Sequence, residues 1–121
     1  MAWSFSTDRP IFQQIADIIV LKIISGEYPP GYRLNAVRDL ALEAGVNPNT
    51  MQKALAELER EGLVYSQRTA GRFVSDSKEK TDKLQEEMTM ECIKIFVVQM
   101  EKMGYAKEQI IELLKKYISE N

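Results

Sequence analysis

Apolar residues recur at helical spacing in three segments before residue 62. Phe12, Ile15, Ala16, Ile19 and Ile23 form one stripe and predict a helix that starts at Pro10, runs to about Ser25 and is stopped by Gly26. Ile18, Val20 and Leu21 add apolar surface beyond that stripe, so either the helix is buried on two sides or a partner surface covers it, and the partner surface is favoured. Gly26-Glu27-Tyr28-Pro29-Pro30-Gly31 cannot continue a helix and reads as a rigid loop, after which Leu34 pins the chain to the core. Val37, Leu40 and Ala41 share a face, with Ala44 one turn on, so a second, short helix is expected. Gly45 suits the left-handed residue that ends it, and Val46 anchors the turn. Asn47 is a good cap for a third helix, and Pro48 fits its first position, where a missing N–H costs nothing. Met51, Ala54, Leu55 and Leu58 are its buried stripe, and Gly62 ends it.

The periodicity then changes from helical to alternating. Leu63–Ser66 and Arg72–Ser75 are short β-prone runs flanking Gln67–Gly71, a hairpin with a basic, Gly-containing tip. Two short helices joined by a tight turn and followed by such a hairpin make a winged helix-turn-helix, the unit that sets its second helix in the major groove of DNA. Ser75–Lys80 is a polar, charged break and the expected junction between residues 1–75 and residues 76–121. Beyond it, Thr81–Met103 reads as one long helix ended by Gly104, and Ala106–Ile118 as another. The long helix carries two adjacent apolar stripes, Leu84, Met88, Cys92, Ile95, Phe96 with Met103, and Met90, Ile93, Val97 with Met100. Two helices in about 45 residues cannot enclose a core of their own. Their apolar faces are expected to pack on a second copy, and a homodimer with two-fold symmetry is the default. The residues assigned to that interface are Leu84, Met88, Cys92, Ile93, Phe96, Val97, Met100, Ile110 and Leu114. The fold class is therefore mostly α with a small β-hairpin: an N-terminal winged helix-turn-helix and a C-terminal two-helix dimerisation segment.

Composition narrows the function. The longest apolar run, Ile18–Ile24, is broken by Lys22 and too short to span a bilayer, so no membrane partner is expected. With no leader-like segment and a single cysteine, the expected location is the cytoplasm. Cys92 reads first as a small buried hydrophobe. The chain has no histidine, no phosphate-cradling Gly-rich loop and no acidic cluster at metal-ligand spacing, so neither an enzyme nor a bound cofactor is expected. The formal net charge is −2, unlike the strongly basic balance of many DNA-binding domains. Residues 1–75 hold eight Lys and Arg against eight Asp and Glu, leaving the acidic excess in residues 76–121. A near-neutral DNA binder works if dimerisation doubles its phosphate contacts, and it should bind non-specific DNA poorly.

The segments PIFQQIAD (Pro10–Asp17), SGEYPPGYRL (Ser25–Leu34), VRDLA (Val37–Ala41), GVNPNTMQKAL (Gly45–Leu55), LEREGLV (Leu58–Val64) and GRFV (Gly71–Val74) together resemble the DNA-binding domain of the GntR family of bacterial transcription regulators. The short two-helix tail is similar to the family's YtrA-like branch, whose tails dimerise and lack the large effector-binding domain of most members. The resemblance implies a homodimeric regulator, more commonly a repressor, acting on a pseudo-palindromic double-stranded DNA operator. It implies DNA contacts from Arg38 and from Asn47, Asn49, Thr50, Gln52 and Lys53 at the start of the third helix. In the hairpin it implies Arg68, Thr69, Gly71 and Arg72. Gln52 stands where many members carry Arg, and Gln pairs with adenine rather than guanine. Ala36 stands where a Ser often begins the second helix, and Thr69 replaces a common Gly. Any small-molecule effector would sit at the subunit interface or between the domains, with Met88, Met100, Met103 and Tyr105 as its lining. The alternatives are a winged-helix module used only for protein contacts and a weakly specific architectural DNA binder.

Overall fold

A computed structural model describes residues 2–121. The chain forms α1 (Ile11–Ile24), α2 (Val37–Ala44), α3 (Pro48–Arg60), β1 (Val64–Gln67), β2 (Gly71–Val74), α4 (Lys78–Lys102) and α5 (Lys107–Glu120). It divides into two compact units, Met1–Asp82 and Lys83–Asn121.

The first unit is a three-helix core with a hairpin. Ile15, Ile19 and Ile23 of α1, Leu40, Ala41 and Ala44 of α2, and Met51, Ala54, Leu55 and Leu58 of α3 are all buried. Leu34 of the connecting loop and Leu63, Val64 and Val74 at the hairpin base close this core. Val20 is buried too, so part of the surplus apolar surface of α1 faces the core rather than a partner, while Leu21 is exposed. Gly45 ends α2 at φ +75, a left-handed conformation that an L side chain resists. A Cβ added there would also meet the Ala2 Cβ at 2.8 Å. The N-terminal segment thus runs along the helix-turn-helix turn, where the Trp3 amide donates to the Ala44 carbonyl at 3.1 Å.

The hairpin pairs Val64 with Val74, Tyr65 with Phe73, Ser66 with Arg72 and Gln67 with Gly71. Both strands sit one residue from the runs read in the sequence, leaving Arg68, Thr69 and Ala70 as the tip. Residues 31–34 back the second strand. The Leu34 amide donates to the Arg72 carbonyl at 2.9 Å, the Val74 amide to Tyr32 at 2.8 Å, and Arg33 bridges Phe73. Of the polar stretch Ser75–Lys80, the first three residues precede α4 and Lys78–Lys80 begin it. Ser77 Oγ accepts the Lys80 amide at 3.3 Å, a capping arrangement that begins the helix three residues before the expected Thr81.

The second unit contains the remainder of α4 and all of α5. A turn at Gly104, φ +97, separates the helices, and Gln109 Oε1 accepts the Ala106 amide at 2.8 Å. Ile110 is its one buried large apolar side chain among the described residues. Cys92 is exposed, correcting its reading as a buried hydrophobe: it lies on a face of α4 that this unit leaves uncovered. Phe96, Met100, Leu113, Leu114 and Tyr117 line a groove of about 340 Å³. Met100 is the one of the four proposed effector-lining residues in that groove. Tyr105 lines a separate hollow with Gln109 and Leu113, and Met103 is exposed.

Candidate nucleic-acid interface

The outer face of α3 is built by elimination. Burial of Met51, Ala54, Leu55 and Leu58 leaves Asn49, Gln52, Lys53 and Ala56 pointing outward along one stripe. The Asn47 carboxamide oxygen accepts the Asn49 amide at 2.7 Å, so its acceptor is spent on starting the helix. Thr50 is half-buried in the first turn. Asn49 and Gln52 are exposed, and their side chains make no hydrogen bond among the described residues. Lys53 places Nζ 4.1 Å from the centroid of the Phe12 ring, with its ammonium still open to solvent on the same face.

Arg38 projects from the first turn of α2, exposed and without an ion pair. No side chain caps this helix at Ala36, so its first-turn N–H groups are left for solvent or an anion. Beside it, Arg33, Asn35, Ala36, Gly71 and Arg72 help line a crevice of about 160 Å³. The Arg33 guanidinium reaches the wing: a Cβ on Gly71 would meet Arg33 Nε at 3.3 Å. Sequence reading missed Arg33, because its proximity to Gly71 follows from the Arg33–Phe73 bridge, a pairing 40 residues apart in the chain.

The wing separates its two arginines. Arg68 lies at the exposed tip beside Thr69, which holds φ +66, an uncommon conformation for a β-branched residue. Arg72 lies in β2 and turns to α3, with Nε 3.4 Å from Glu59 Oε1. Arg38, Asn49, Gln52, Lys53 and Arg68 are thus each exposed, whereas Arg72 is half-buried and paired with Glu59.

Ion pairing then sorts the charges. Of the eight cations in residues 1–75, Arg9, Lys22, Arg60 and Arg72 are paired with Asp17, Glu27, Glu57 and Glu59. The other four, Arg33, Arg38, Lys53 and Arg68, have no carboxylate partner among the described residues. Four carboxylates, Asp8, Asp39, Glu43 and Glu61, also have no cationic partner among the described residues, so the domain stays neutral after pairing, and its unpaired cations lie on the loop before α2, on α2 and α3, and on the wing. Among the described residues no group of His, Cys, Asp and Glu could hold a metal ion. Among the described residues no helix is long and apolar enough to cross a membrane.

Comparison with known proteins agrees with this arrangement. Over 113 residues the chain is 38% identical to the HTH-type transcriptional regulator YhcF of Bacillus subtilis, covering 93% of each. It is 35% identical to the HTH-type transcriptional repressor YtrA of the same organism, covering 91% of this chain and 85% of that one. A GntR family transcriptional regulator from Listeria monocytogenes superposes with a TM-score of 0.86 at 36% identity, covering 93% and 98% of the two chains. The DNA-binding domain of AraR in complex with operator ORX1 aligns with a TM-score of 0.57 at 25% identity, over 62% of this chain and 95% of that one. These relatives are transcription regulators rather than enzymes. The profile of bacterial regulatory proteins of the gntR family matches residues 11–74, and the chain, a winged helix-turn-helix transcription regulator, belongs to that family.

Proposed function

We propose that this protein is a cytoplasmic, sequence-specific repressor that binds a pseudo-palindromic operator as a homodimer. The observation that carries the reading is that the four cations of residues 1–75 without a carboxylate partner among the described residues, Arg33, Arg38, Lys53 and Arg68, are all exposed and lie on the loop before α2, on α2, on α3 beside the exposed Asn49 and Gln52, and on the wing. In this reading α3 enters the major groove. Gln52 and Asn49 meet base edges, and Gln52 favours adenine because its carboxamide matches the adenine N6 and N7 pair. Lys53, Arg38, Thr50 and the open N-terminus of α2 meet phosphates. Asn47 caps α3, Gly71 lets Arg33 approach the wing, and Thr69 shapes the tip that carries Arg68 toward the backbone or minor groove.

The second unit supports the dimer. Twelve of the sixteen exposed large hydrophobic residues fall within Lys83–Asn121, including Ile93, Phe96 and Leu114. Surface of that kind and extent marks an interaction site. Leu84, Met88, Val97 and Met100 are half-buried and Cys92 exposed within the single chain, so a second copy has these side chains to cover together with Ile93, Phe96 and Leu114. Ile110 instead packs within its own unit and supports the interface from beneath. Two wings and two recognition helices in one assembly double the phosphate contacts of a weakly charged domain, with half-sites about 34 Å apart or a multiple of that. The AraR DNA-binding domain, a structural neighbour solved in complex with an operator, supports DNA as the partner.

Selection of duplexes from a random pool by the full-length protein tests the reading. A recovered site with two inverted half-sites, bound more tightly than a scrambled duplex by at least about 10³ at physiological salt, is expected. Recovery of no preferred sequence would overturn it. Deletion of the gene should raise transcription from the promoter that carries the selected site.

A further inference from the structure

The wing carries two arginines that differ in what they face. In the register of the hairpin, Ser66 lies opposite Arg72, and Tyr65 opposite Phe73. Side chains alternate across a strand, so Val64, Ser66, Arg72 and Val74 share the face turned to the core, where Val64 and Val74 are buried. Tyr65 and Phe73 occupy the other face, stacked with ring centroids 5.7 Å apart. The register thus starts the Arg72 side chain on the face turned to α3.

What it meets on that inner face is a single carboxylate oxygen. Glu59 Oε1, in the last turn of α3, accepts from Arg72 Nε at 3.4 Å and from the Ser66 hydroxyl. One acceptor thus ties both strands of the wing to the recognition helix. The Arg72 side chain is 18% exposed and that of Glu59 31%, so solvent screens this contact less than the ion pairs Arg9–Asp17 and Arg60–Glu57.

We propose that Arg72 is a positioning residue: with Glu59 and Ser66 it forms a strut that fixes the wing relative to α3, and Arg68 and Arg33 supply the wing's contact with DNA. A strut here has a defined consequence. Residues 31–34 and the buried Val64 and Val74 hold the base of the hairpin, so the strut acts on its outer half, where Ser66–Arg72 is the next-to-last pair before the tip. The angle of that half to α3 decides whether Arg68 reaches the DNA while Gln52 is seated in the groove. The assignment rests on the DNA-binding reading for its consequence, but the strut itself can be tested without DNA.

The experiment uses full-length protein with Glu59→Gln, Arg72→Gln, the double substitution, and Arg68→Gln. In the absence of DNA, amide exchange across Gln67–Gly71 should speed up about three- to tenfold in Glu59→Gln and in Arg72→Gln, the range expected for a part-buried charge-assisted hydrogen bond. The double substitution should add nothing further, and Arg68→Gln should leave exchange unchanged. With the duplex selected by the wild-type protein, Arg68→Gln should lower the salt slope of binding by roughly one unit. Arg72→Gln should weaken binding with the slope intact. A slope reduced equally by Arg72→Gln would overturn the proposal, as would unchanged wing exchange in Glu59→Gln. Should the wild-type protein select no duplex, the DNA-binding reading fails and the exchange arm alone decides for or against the strut.

Discussion

Lys53 on α3 rests its ammonium over the ring of Phe12 on α1, 4.1 Å from the ring centroid. The contact fixes the direction of a cation on the outer face of the recognition helix, and it lowers the conformational entropy that Lys53 would otherwise lose on meeting a phosphate. A double-mutant cycle with Phe12→Leu and Lys53→Met should give a coupling of about 0.5–1 kcal/mol in urea unfolding, the range for an exposed cation–π pair. On DNA, Lys53→Met should weaken all sequences alike and reduce the salt slope by roughly one unit. Zero coupling, or a sequence-dependent loss from Lys53→Met, would remove this role.

Gln52 is one turn from the start of α3, exposed and without a partner among the described residues. Substitution by Ala should relax discrimination at one base position by about 1–3 kcal/mol while leaving the salt slope unchanged. Substitution by Arg should move the preference at that position from adenine toward guanine, because a guanidinium matches the guanine O6 and N7 acceptors. Binding-site selection with each variant reads the outcome directly. An unaltered preference in both would show that Gln52 does not touch a base.

The helical core and the helix-turn-helix were legible because each rests on short-range signals. The Met51, Ala54, Leu55, Leu58 stripe, the Asn47 cap and the Gly45 terminator all act within one or two turns, and α2 and α3 appear where those signals put them. The wing was legible as a hairpin, and its two runs face each other as read, but each strand lies one residue nearer the tip, since the runs are short and no two-residue turn signal pins their ends. Long-range relations left no trace in the pattern. The turn of Arg72 toward Glu59, the approach of Arg33 to Gly71, and the lie of Ala2 and Trp3 along the α2–α3 turn each depend on tertiary folding. Val20 and Cys92 went the other way from expectation because a helical stripe marks which residues are apolar, not how much of the neighbouring surface covers them.

Tyr28 is buried in the loop after α1, stacked on Tyr32 at 4.8 Å. Burial, followed by the negative charge of Glu43, pushes its phenol up to about 12 from 10.0. The folded state therefore favours the neutral phenol. That stabilisation is fully present below pH 10 and is lost as pH rises toward about 12. Thermal melts between pH 9 and roughly pH 12 should show a steeper decline in the wild type than in Tyr28→Phe, which cannot ionise there. Parallel declines would mean that Tyr28 titrates near its ordinary value.

Thr69 stores strain at the tip of the wing. Its φ of +66 is costly for a β-branched side chain, and its hydroxyl donates to the adjacent Arg68 carbonyl. Thr69→Gly and Thr69→Asn should each stabilise the first unit by about 1 kcal/mol, with Asn avoiding the added flexibility of glycine in the unfolded chain. Equilibrium unfolding in urea measures this. A loss of stability in both variants would mean that the Thr69 hydroxyl contributes more than the strained backbone costs.

Association through the second unit is the prediction with the largest expected effect. Phe96 and Leu114 line the same groove, are more than a third exposed in the single chain, and are not part of the buried set on which folding depends. A Glu at either position should therefore cost the isolated chain little, yet at a dimer interface it would place an unpaired charge among apolar side chains. Phe96→Glu and Leu114→Glu should shift the protein from dimer to monomer in sedimentation equilibrium at micromolar concentration while the far-ultraviolet spectrum is kept. Binding to a duplex with two half-sites should fall about 10²- to 10⁴-fold, the avidity lost when two recognition helices are no longer linked. Binding to a single half-site should not change. That pairing of results separates a broken interface from a damaged winged helix, because damage to the first unit would weaken half-site and full-site binding together. A wild-type protein that sediments as a monomer would overturn the dimer, and variants that remain dimeric would place the subunit contact elsewhere.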